Sequence, residues 1–145
     1  MPVSTRVPDV GRITWLVEAL ESGEYRKGQG VLHTPGDGGA HSGAWCCLGV
    51  ASRVAIEHGL NITTRIATKY GSIYEVFAGY GLEMLSPAVQ EWYGFADADP
   101  LLRMENFGVR RAASWNDVGQ DGDGPEPDFT AIAAAFRRTY LGGTS

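Results

Sequence analysis

Two adjacent thiols, Cys46 and Cys47, follow Trp45 and a run of glycines. A cysteine nucleophile needs a thiolate, a base and an oxyanion donor. The glycine run would set Cys46 at a helix N-terminus, where the helix dipole favours a thiolate, and His33 or His41 would be the base. The competing role is core, because free cysteine is among the most buried residue types. His33, His41 and Cys46 also invite comparison with a zinc site, but they lack the closely spaced ligand pairs of structural zinc.

Four further features could carry chemistry. With Asp117 as the first position of a calcium loop, Asp121 falls fifth and Asp128 twelfth, with Asp123 between them. Glycine at the third position, aspartate at the twelfth and two intervening prolines depart from that motif, so a solvated loop is expected, with no metal or cofactor. Residues 36–43 could cradle an anion on backbone N–H groups, yet lack the Gly-Lys-Ser/Thr ending of a P-loop. The basic pairs Arg110-Arg111 and Arg137-Arg138 could form a phosphate pocket if they met Arg26-Lys27 in space. Asn116-Asp117, after Trp115, suits either a turn held by side-chain hydrogen bonds or a ligand contact. Tyr25, Arg26, Arg110, Arg111, Trp115, Asn116 and Asp117 are therefore the candidate ligand- or partner-binding residues. Trp15 fits the edge of a core or an interface anchor. There is no Ser-His-Asp order, no H-E-x-x-H and no recognisable pair of catalytic carboxylates.

The elements that must position these residues are legible from periodicity. Val10, Ile13, Leu16, Val17 and Leu20 make a helical stripe, with Asp9 as N-cap and Gly23 as the stop. A short strand is expected near Val31-Leu32-His33. A core helix should run from Cys47 to His58 and be closed by Gly59-Leu60. Ile62, Thr64, Ile66 and Thr68 alternate, and Ile73 to Phe77 can pair with them as a hairpin; the rival is a helix opened by the capping box Ser72-x-x-Glu75. Ser86-Pro87 opens a short helix that should bury Val89 and Trp92 and stop at Gly94. Residues 96–118 are mixed, with a possible strand from Leu101 to Met104. Asp128 caps a last helix with the stripe Phe129, Ile132, Ala133, Phe136 and Tyr140.

These elements predict a single α+β domain over residues 1–145, about four helices packed on a small antiparallel sheet. Residues 1–8 form an arm, 34–43 a glycine-rich loop and 117–128 an acidic loop. The chain has 17 acids and 12 bases, for a net charge of −5, and is 43% hydrophobic. Five of the acids lie in the acidic loop, so the rest of the chain is balanced at 12 acids and 12 bases. That balance argues against bulk nucleic-acid binding and against DNA mimicry. No apolar run approaches the ~18 residues of a membrane span. The first ten residues hold no apolar signal core, and two adjacent cysteines make no disulfide framework, which fits a reducing cytosol.

Six blocks stand out together: residues 15–25 (WLVEALESGEY), 28–32 (GQGVL), 45–50 (WCCLGV), 85–92 (LSPAVQEW), 115–117 (WND) and 129–133 (FTAIA). In order and spacing they resemble a group of small proteins encoded by bacteriophages and prophages, especially those of actinobacteria. The group reads tyrosine before the two cysteines and leucine before Asn-Asp, where this chain has tryptophan, and both loops are expanded here. The resemblance implies a phage origin and the cytoplasm of a host cell, and it carries no activity with it. The expected function is a non-enzymatic binding protein that engages a host defence or regulatory protein or sequesters a small anionic, nucleotide-like ligand. The alternatives are a small enzyme with a cysteine–histidine site acting on a nucleotide-like or acyl substrate, and a minor virion component.

Overall fold

The computed structural model describes residues 7–28, 32–36, 43–69, 72–77, 84–103, 108–118 and 127–142. Helix α1 (Val10–Glu21) starts where the Asp9 carboxylate accepts the Arg12 N–H at 3.0 Å, and it buries the expected Ile13, Leu16, Val17 and Leu20. Three two-residue strands follow: β1 (Arg26–Lys27), β2 (His33–Thr34) and β3 (Ala44–Trp45). β3 lies between the others, parallel to β1 and antiparallel to β2.

Helix α2 (Cys47–Glu57) is the central element, with Cys47 through Ser52, Val54 and Ala55 all buried. Its end is the predicted glycine cap. Gly59 has φ +106°, and the Leu60 N–H returns to the Ala55 carbonyl at 2.9 Å. Gly49 sits in the middle of α2, where the Leu32 backbone carbonyl comes so close that a Cβ would collide with it. The same carbonyl accepts the Cys46 N–H at 3.0 Å.

Strands β4 (Thr64–Lys69) and β5 (Ser72–Phe77) form the antiparallel hairpin, not the capping-box helix. Helix α3 (Pro87–Tyr93) begins at Ser86 and stops at Gly94, as its punctuation requires. It buries Val89 and Tyr93 instead of Val89 and Trp92. Tyr93 turns inward because its hydroxyl finds a partner there, donating to the Ala51 carbonyl at 2.6 Å.

Strands β6 (Leu101–Arg103) and β7 (Val109–Arg111) pair antiparallel, and α4 (Ala112–Asn116) follows β7 directly. Helix α5 (Phe129–Tyr140) is capped by the Asp128 carboxylate on the Ala131 N–H at 2.8 Å, and it packs along α1. The architecture is α+β, with five helices among the described residues. The strands are split among three small sheets, one of them containing a parallel pair, in place of one antiparallel sheet. Trp45, Tyr93, Phe77, Phe95 and Phe136 are the largest fully buried side chains of one continuous core cluster. No helix among the described residues is long and apolar enough to cross a membrane.

Candidate functional site

The two thiols belong to the core. Cys46 is 4% exposed and Cys47 is fully buried. Cys46 does stand at the N-terminus of α2, yet burial pushes its thiol up to about 12, outweighing the helical N–H groups of Gly49 and Leu48. Burial also raises the Cys47 thiol well above its ordinary value, and its Sγ faces the Ala112 carbonyl at 3.7 Å. Of the two roles the sequence offered, both thiols take the core one and neither is placed as a thiolate nucleophile.

The helix start that Cys46 leaves uncapped is completed by Asn116, which has no exposed surface. Its Oδ1 accepts the Cys47 N–H at 3.0 Å, while its Nδ2 donates to the Gly28 carbonyl at 2.9 Å and to Asp117 Oδ1 at 3.1 Å. Lys27 Nζ donates to the Asn116 carbonyl at 2.6 Å. Asn116 and Asp117 therefore join α4, β1 and α2, a reach far beyond a local turn. Trp115 lies half-buried against the core beside them.

His33 is brought to a carboxylate, not to a cysteine. Its Nδ1 meets Glu75 Oε1 at 2.6 Å, and Arg53 grips both oxygens of the same carboxylate at 3.1 and 2.9 Å. The His33 ring stacks on Trp45 at 3.4 Å, and Tyr25 meets Trp45 edge-on at 5.2 Å. Burial pushes the Glu75 carboxyl up, but the His33 contact, the Arg53 guanidinium and the Thr64 hydroxyl together hold it below its ordinary value. Arg53 Nε is buried with no hydrogen-bond partner among the described residues. Tyr25 is raised by burial and by Glu57, to which its hydroxyl is hydrogen-bonded. This cluster ties β2, α2 and β5 together, and it carried no sequence signal beyond the individual residues.

The basic pairs do not gather into a phosphate pocket. Arg110 reaches Ser114 at 3.2 Å, and Arg111 reaches Asp97 at 3.1 Å and the Asp99 carbonyl at 3.0 Å. Arg137 pairs with Glu21 at 2.7 Å, and Arg138 donates to the Arg103 carbonyl at 2.9 Å. Arg26 is exposed on β1. His41, Asp121 and Asp123 lie outside the described residues, as does most of the glycine-rich loop. Asp128 is occupied as the cap of α5. Among the described residues no three histidine, cysteine or acidic side chains are grouped to hold a metal.

The outer surface holds a different arrangement. Trp15 is 40% exposed and lies flat on His58, with centroids 3.7 Å apart and planes within 8°. Trp92 approaches it at 6.2 Å, and the Arg12 guanidinium covers Trp92 at 4.4 Å while its Nη1 donates to the Trp92 carbonyl at 2.8 Å. Beside them is an open depression of about 370 Å³ lined by Arg12, Leu60, Ala88, Glu91 and Trp92. Trp15 had the sequence signature of a core edge or an anchor; the structure gives it both a packed face and an exposed edge.

Fold and sites together define a small α+β domain with core thiols, an internal charged cluster and an aromatic–arginine surface across α1, α2 and α3. The chain belongs to the family described as Domain of unknown function (DUF8296), whose model matches residues 12–138. No curated protein and no solved structure matches it.

Proposed function

We propose that this protein is a non-enzymatic binding protein, encoded by a phage, that engages a host protein in the host cytoplasm through the Arg12–Trp15–Trp92 surface. The observation that carries the reading is the half-exposed Trp15 ring held flat on His58 beside the depression at Trp92. Tryptophan and arginine dominate protein-interface energetics, above all when anchored beside a pocket. A ring already fixed by stacking loses little freedom on binding. The phage and host setting is supported by the sequence resemblance alone. A cysteine–histidine reaction finds no support in thiols whose burial keeps them protonated. An anionic small ligand is the weaker occupant, because the basic pairs on β7 and α5 are already engaged.

Affinity capture from host lysate with wild type and Trp15→Ala, compared by quantitative mass spectrometry, tests the reading. A host protein enriched by wild type should fall by about tenfold or more with the variant. Enrichment that is identical for both proteins rejects this surface as the binding face.

A further inference from the structure

Among the described residues, the β4–β5 hairpin is held by its inner strand and has no neighbouring strand along its outer one. Strand β5 runs against β2 and buries Glu75, Val76 and Phe77. Thr64, Arg65, Ile66 and Thr68 of β4 are all exposed, and among the described residues β4 is hydrogen-bonded to β5 alone. Such an edge offers a row of backbone N–H and C=O groups to another strand. A lone two-stranded hairpin is marginal in water. Here the Arg53 and His33 contacts to Glu75 fix the inner strand, and Thr64 reaches the same carboxylate from the outer one. The edge is therefore set before any partner arrives.

We propose that β4 is a docking edge for an extended acidic segment of another protein, added to the hairpin as a third strand. Charge selects the occupant. Strand β4 contains Arg65 and Lys69 and no acid. Arg65 makes no ion pair or hydrogen bond among the described residues. The acid on β5, Glu75, is buried and already engaged by Arg53 and His33. A second copy of β4 would bring like charges together across the new ladder, which is destabilising, whereas an acidic strand is complementary. The two faces also differ. Ile66 is opposite Glu75 and Ile73 opposite Thr68, so both isoleucines lie on one face, where they are 58% and 53% exposed. Arg65 falls on the other face by alternation. The fitting segment alternates acidic and aliphatic residues, with backbone bonds supplying affinity and alternate side chains supplying choice. This surface is separate from the one at Trp15.

The probe is a capped peptide of alternating glutamate and valine, long enough to span the six residues of β4. Its controls are a lysine–valine peptide and a glutamate–valine peptide with alternate backbone nitrogens methylated. Titration and amide hydrogen exchange on the full chain should show binding of the first peptide alone, with protection on β4. Arg65→Glu, at an exposed position, should weaken that binding by about tenfold and confer binding of the lysine–valine peptide. Trp15→Ala should leave both unchanged, so failure here is separable from failure of the Trp15 surface. Equal binding of the two charge types, protection away from β4, no binding by any peptide, or a dimer protected at β4 without peptide would each overturn the proposal.

Discussion

The side-chain oxygen of Asn116 accepts the backbone N–H of Cys47 at 3.0 Å, capping α2 from 69 residues away in the chain. Its amide nitrogen holds the Gly28 carbonyl at 2.9 Å, so one buried side chain fixes three elements. Asn116→Ala strands the buried Cys47 N–H and the half-buried Gly28 carbonyl, and should cost about 2–4 kcal/mol. Urea denaturation of the two proteins measures this. A loss under about 0.5 kcal/mol, the range of ordinary surface substitutions, would remove Asn116 from this role.

Glu75→Gln should destabilise by about 2–4 kcal/mol, because it leaves the Arg53 guanidinium without its buried counter-charge and disturbs the hydrogen bond at His33. The pH dependence has a definite sign. The folded carboxyl sits below its ordinary value of 4.5, so its stabilisation is fully present above that pH and is lost as pH falls through the folded value. The stability gap between wild type and variant should narrow as pH falls below 4.5. A gap that does not narrow there would contradict a Glu75 carboxylate held ionised by the cluster.

Gly49→Ala opposes two effects of different size. Helix propensity alone favours alanine by about 1 kcal/mol. The new Cβ, however, meets the Leu32 carbonyl, and α2 must move off the Leu32 backbone to admit it. Net destabilisation of about 1–3 kcal/mol is expected by thermal or chemical unfolding. A stabilised variant would show that the close approach is not rigid.

Thiol chemistry supplies the fourth check. With Cys46 raised to about 12 and Cys47 higher than its ordinary value, little thiolate exists in the native protein at pH 8. Iodoacetamide should label neither cysteine of the folded chain while modifying both in denaturant. Rapid labelling without denaturant would restore the nucleophilic reading.

The elements legible in the sequence are those whose signal is local. Asp9, Ser86-Pro87, Asp128 and Gly59-Leu60 mark helix ends by chemistry confined to one turn, and the apolar stripes between them mark buried faces. Strands β1 and β3 were not legible, because two residues cannot display alternation and their parallel pairing joins segments far apart in the chain. Helix α4 is only five residues long and is capped by Asp99, which accepts the Ala113 N–H at 2.9 Å from across a strand pair. Glu75 resembled either a strand surface residue or a capping-box acid. Its place among His33 and Arg53 depends on three elements converging, which no spacing encodes. Asn116 was legible as a polar organiser but not in its range.

Because Gly28 and Cys47 are both gripped by Asn116, one side chain fastens both ends of the segment that carries Leu32, His33 and Trp45 into the core. Chain ends pinned together in the native state make that segment a closed loop, and each doubling of a flexible loop adds only about 0.6 kcal/mol to the entropy of closing it. Asn116 thus acts as a clasp, and opening it would release both ends of the segment at once.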